Sequence, residues 1–160
     1  MQSKMLGEIL IEKKLITPEQ LQEALARQKR TQETLGTVIL HKKWIKDKDL
    51  VEALSVQFGI PIVDLKNKGI DVELLKSFDA SVLFDHKCLP LSKDRTSITV
   101  AVTNPMDLWA ISKIEEMVSP LSVNMMLTSE SDMLDALARY KQYLKAQLNQ
   151  QLNNQGPSNA

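Results

Sequence analysis

Over the first 60 positions apolar residues recur at the three- and four-residue spacing of helices, and they do so twice. In "SKMLGEILIEKK", Met5, Ile9 and Leu10 fall on one face, with Leu6 and Ile11 widening the stripe. In "ITPEQLQEALARQ" a second helix is expected: Thr17 suits the N-cap, Pro18 the first turn, and Gln20 completes a capping box. Leu21, Leu25 and Gln28 then share a face. The plan returns in "LGTVILHKKW" and "KDLVEALSVQ", with Asp47 expected as cap and Leu50, Leu54 and Gln57 in the matching places. A constant offset of 29 residues separates Met5 from Thr34 and Gln28 from Gln57. Such a constant register argues for a duplicated unit.

Past Gln57 the period changes. "FGIPIVDL" reads as a linker or edge strand, because Gly59 and Pro61 interrupt an extended apolar run. Short helices follow in "DVELLKSF" and "DASVLFDH", then two strands around a polar turn in "KCLPLSKDRTSITVAVT". "NPMDLWAISKIEEMV" predicts an amphipathic helix, "LSVNMMLT" a third strand, and "SESDMLDALARYKQYLKAQL" a closing helix. The fold expected is α+β: a helical tandem-repeat part of about four helices over 1–60, then a small α/β sandwich with about three strands over 61–145. The polar stretch 146–160 is expected to be a disordered tail.

At 160 residues and 43% hydrophobic the chain can bury a core without staples. Lys+Arg and Asp+Glu are both 20, so no net field recruits DNA, RNA or an acidic membrane. Cys88 is the single cysteine, which excludes an intramolecular disulfide. The start lacks a long apolar run, and the expectation is a cytoplasmic protein without membrane insertion.

The two passages resemble the tandem motif of the MshEN domain, a cyclic di-GMP receptor domain at the N-terminus of type II secretion and type IV pilus assembly ATPases. The likeness rests on Leu6-Gly7, Leu10, Ile11, Leu15, Ile16, Leu21, Leu25 and Gln28, repeated as Leu35-Gly36, Ile39, Leu40, Trp44, Ile45, Leu50, Leu54 and Gln57. "LPLSKDRTSITVAVTNPMDLWAI" and the helix after Ser129 resemble the α/β half of that domain, so the likeness extends to about residue 145. It implies that cyclic di-GMP, where bound, would meet Met5, Leu6, Gly7, Leu10, Leu21, Leu25 and Gln28 from one motif. From the other it would meet Thr34, Leu35, Gly36, Ile39, Leu50, Leu54 and Gln57.

Two pairs of positions depart from the pattern. The family opens each motif with an arginine that grips guanine and phosphate; here stand Met5 and Thr34. A bidentate guanidinium–guanine contact contributes about 1 to 3 kcal/mol, so losing both weakens binding by roughly 2 to 6 kcal/mol. A mid-motif glycine is replaced by Lys14 and Lys43, where a left-handed turn would cost a lysine about 1 kcal/mol. Lys14, Lys43, Arg27, Lys29 and Arg30 are candidates to restore positive charge. The bland reading makes the leucines core and the charges a solvated face.

Catalysis finds little footing. No GxxxxGK[ST] phosphate loop is present, His86 and Cys88 have no zinc-site spacing, and the neighbours Glu115 and Glu116 diverge around a helix. Trp44 and Trp109 are expected as buried anchors. The sequence therefore points to a non-catalytic, free-standing regulatory or adaptor module with no resident cofactor or metal. It would act through contacts with a secretion, pilus or related motor or signalling protein. The alternative is a cyclic di-GMP receptor that binds across the two motifs.

Overall fold

The computed structural model describes residues 5–154. The tandem copies form α1 (Leu6–Glu12), α2 (Pro18–Thr31), α3 (Leu35–His41) and α4 (Asp47–Phe58). Thr17 caps α2 reciprocally: its hydroxyl accepts from the Gln20 N–H at 3.1 Å, and the Gln20 side-chain oxygen accepts from the Thr17 N–H at 2.9 Å. In the second copy the cap is Lys46 rather than Asp47, which is the first helical residue. The Lys46 N–H donates to Asp49 Oδ2 at 3.1 Å, so the reciprocal half of the box persists without a capping hydroxyl.

Burial follows the same register. Ile9 with Val38, Leu10 with Ile39, Ile16 with Ile45 and Ala24 with Ala53 are all core residues, and each pair is 29 positions apart. Full burial of a leucine or isoleucine contributes about 1.5 to 3 kcal/mol. The packing is crossed: α1 rests on α4 and α2 on α3, so each short helix leans on the long helix of the other copy. Both short helices end on a lysine in the left-handed conformation, Lys14 at φ 60° and Lys43 at φ 59°. At the first of these turns the Leu15 N–H reaches the Leu10 carbonyl (3.0 Å) and the Lys14 N–H reaches Ile11 (2.9 Å), the bonding of a Schellman turn. The turn keeps its glycine geometry with a strained residue in it.

A second core gathers around the sheet. α5 (Val72–Lys76) and a π-helical turn (Ser81–Asp85) lead into β1 (Cys88–Lys93) and β2 (Ser97–Val102), which pair antiparallel with an irregularity between Pro90 and Ser92. The crossover helix α6 (Leu108–Val118) delivers β3 (Ser122–Leu127) parallel to β2. The segment after α4 lies along the free edge of β3: the Leu127 N–H donates to the Pro61 carbonyl at 2.8 Å, and the Val63 N–H to the Leu127 carbonyl at 2.9 Å. Pro61 sits where no N–H is required of it.

α7 (Glu130–Asn154) buries Met133, Ala136, Leu137 and Tyr140 on the α/β core. Where a disordered tail was expected from residue 146, the helix continues to Asn154; residues 155–160 lie outside the described residues. Leucine and glutamine are good helix formers, and lengthening an already docked helix avoids the cost of nucleation. Among the described residues no helix is long and apolar enough to cross a membrane.

Candidate functional site

A cleft of about 780 Å³ opens between the helical repeat and the α/β unit. The first turns of α1 and α3 contribute Met5, Leu6 and Gly7 together with Thr34, Leu35 and Gly36. The long helices add Leu21, Leu25 and Gln28 on one side and Leu50, Leu54 and Gln57 on the other. These twelve are residues the sequence singled out, and the structure brings them together. Leu10 and Ile39 are elsewhere: both are fully enclosed in the helical core behind the cleft wall. Their stripe position aims them inward.

Gly7 and Gly36 let the leucines of the long helices lie close over α1 and α3. A β-carbon on Gly36 would stand 3.2 Å from both Leu50 methyls, within ordinary yielding distance of a leucine. Leu21, Leu25, Leu35 and Leu54 remain half-buried, forming an apolar floor that faces the opening.

The other wall comes from the α/β unit, none of whose residues the sequence named as ligand-binding. Asp107 organises it. One carboxylate oxygen accepts from the Ala110 N–H at 3.1 Å, capping α6, while the other meets His86 Nδ1 at 2.6 Å. His86 also stacks on Trp109, with ring centroids 4.4 Å apart. Trp109 is therefore not the buried anchor expected of it: it is 51% exposed, and Trp44 is only half-buried, beneath the Lys42 ammonium. Lys87 pairs with Glu130. Between these pairs runs the loop Thr103–Asp107, where the Asn104 side chain accepts from the Met106 N–H at 2.9 Å. Thr128 is 2% exposed and its hydroxyl has no hydrogen-bond partner among the described residues. Tertiary packing, rather than local sequence pattern, brings this wall together.

The charge of the lining is lopsided. Glu8, Asp47, Asp85, Asp107 and Glu130 line the cleft, and among the described lining residues they are set against one lysine, Lys87, and one histidine, His86. Lys14, Lys43, Arg27, Lys29 and Arg30 are not among the lining residues. Arg27 instead pairs with Glu33 at 3.6 Å. The positive charge that the motif arginines would have brought is not restored from these residues.

Cys88, beside this wall, is 2% exposed, and burial, helped by the negative charge of Asp107, pushes its thiol up to about 12. The thiol's hydrogen-bond partner is the His86 carbonyl, at 3.6 Å. Such a thiol is a poor nucleophile. Among the described residues no cluster of histidine, cysteine or carboxylate side chains is arranged to hold a metal.

The family model of the MshEN domain matches residues 58–147, the α/β unit and most of α7. Over 135 residues the chain is 26% identical to the type IV pilus assembly ATPase PilB of Myxococcus xanthus, spanning 84% of this chain and 24% of that protein. Over 139 residues it is 28% identical to the type IV pilus assembly ATPase PilB of Thermus thermophilus, spanning 86% of this chain and 16% of that one. The chain thus spans a quarter or less of the length of these relatives. A solved structure of MshE with cdg shares the fold at TM-score 0.74 and 23% identity, over 86% of this chain and 99% of that one. The N-terminal domain of XpsE does so at TM-score 0.66 and 16% identity, over 87% and 98%.

Proposed function

The chain belongs to the MshEN domain family, and from that premise we propose that it is a non-catalytic regulatory module whose cleft engages another protein in a pilus- or secretion-type assembly. The observation that carries this reading is the charge of the cleft: five carboxylates face one lysine and one histidine. Like charges 4 Å apart repel by about 1 kcal/mol in bulk water and about 4 kcal/mol near a protein surface, so a dianionic dinucleotide meets repulsion. Met5 and Thr34, at the openings of the two motifs, add no cation to offset it. Removing two arginine forks at about 1 to 3 kcal/mol each would move a micromolar affinity toward the millimolar range. Isothermal titration of the chain with cyclic di-GMP tests this. No heat of binding is expected at micromolar ligand.

A second reading keeps cyclic di-GMP as the ligand. It is favoured by the shape of the site: Gln28 and Gln57 both line one cleft, at equivalent places in the two copies, in a fold shared with MshE with cdg. A micromolar dissociation constant that disappears in the Gln28→Ala, Gln57→Ala double variant would establish this reading and displace the first.

A further inference from the structure

We propose that the cleft docks a basic amphipathic helix of a partner protein, an inference that rests on the reading of the cleft as a protein-binding rather than a dinucleotide-binding site. The floor supplies the apolar half of the match. Leu21, Leu25, Leu35 and Leu54 are half-buried in a concave surface, open to an occupant that covers them. Burial of such side chains is what seats an amphipathic helix in a groove.

The rim supplies the charge. Two of its carboxylates are already matched inside the wall, Asp107 by His86 and Glu130 by Lys87. Glu8, Asp47 and Asp85 make no salt bridge among the described residues, which leaves three negative charges around an apolar floor. A partner bearing lysines beside its leucines satisfies both parts, whereas an acidic or purely apolar partner satisfies one at most. Size agrees as well. A helix about 10 Å across that rises 1.5 Å per residue fills roughly 120 Å³ per residue, so the 780 Å³ cleft holds about six residues, just under two turns. That length presents two anchors on one face, at i and at i+3 or i+4.

The test uses the full chain and a fluorescently labelled amphipathic peptide about 18 residues long, with leucines on one face and lysines on the other. A second peptide carries glutamate in place of each lysine. Anisotropy at low salt is expected to show saturable micromolar binding of the lysine peptide, weakened about tenfold in 0.5 M salt, and none of the glutamate peptide. The combined Glu8→Gln, Asp47→Asn, Asp85→Asn variant, checked for native circular dichroism, is expected to bind the lysine peptide about tenfold more weakly. Equal binding of both peptides, or wild-type affinity in the triple variant, overturns the proposal. Self-association of the free chain that the same three substitutions abolish would assign the cleft to a second copy and also overturn it. Micromolar cyclic di-GMP binding without peptide binding refutes the underlying reading. Absence of both kinds of binding refutes only the helix.

Discussion

A β-carbon placed on Gly7 would come within 2.7 Å of Leu21 Cδ1, closer than such atoms approach without one of them moving. The equivalent approach in the second copy, Gly36 to Leu50, is 3.2 Å. Alanine gains about 0.5 to 1 kcal/mol over glycine within a helix, while forced overpacking costs about 1 to 3 kcal/mol. Gly7→Ala is therefore expected to lower stability by about 1 kcal/mol, and Gly36→Ala to be close to neutral. Urea melts of the two variants compare them directly; equal midpoints would refute the difference. Because Leu21 lines the cleft, Gly7→Ala should also change its floor.

Lys14 and Lys43 hold left-handed backbone that glycine adopts without strain. Lys14→Gly and Lys43→Gly are each expected to stabilise the chain by about 0.5 to 1 kcal/mol, the strain relieved outweighing the extra entropy of the unfolded glycine. The double variant should show the sum, since the two turns belong to different copies. A lower melting temperature in either single variant would contradict this.

Thr128 buries a hydroxyl without a partner among the described residues. Thr128→Val keeps the shape and removes the orphaned group, so stability should rise by about 1 kcal/mol, or about 2 to 4 °C in Tm. Thermal denaturation of the two proteins side by side decides it. An unchanged or lower Tm would mean that the hydroxyl is satisfied in solution.

Burial raises the Cys88 thiol from 9.0 to about 12, so the folded state disfavours the thiolate. An unfolded thiol ionises above its ordinary value and the folded one does not, so this group costs no stability below pH 9.0. It destabilises progressively as pH rises from there toward 12. A disulfide-exchange reagent at pH 8 should accordingly label Cys88 only after denaturant is added. Rapid labelling of the native chain would be the contrary result.

Local pattern revealed the helical half and left the second wall of the cleft hidden. The Thr17, Pro18 and Gln20 box was legible because its chemistry sits within four residues. The second cap was misplaced by one residue, as a rule keyed to residue type favours Asp47. Register would have corrected it: Lys46 and Asp49 stand 29 positions after Thr17 and Gln20. Leu10 and Ile39 shared the motif but not the cleft, because spacing assigns a face and not a depth. His86, Asp107 and Thr128 stand just before β1, just before α6 and just after β3, so no stretch of sequence marks them as neighbours. The exposure of Trp109 has the same origin, since its position is fixed by the ring of His86 and the cap of α6.

The crossed seating of α1 on α4 and α2 on α3 has a bearing on how the helical half comes apart. A protease nick between Thr31 and Thr34 would not yield two independent modules, because each fragment keeps a short helix that has lost its seat on the long helix of the other copy. The severed halves would be incomplete alone and whole together, in the manner of a reporter split in two. Duplication here has produced interdependence rather than a spare part.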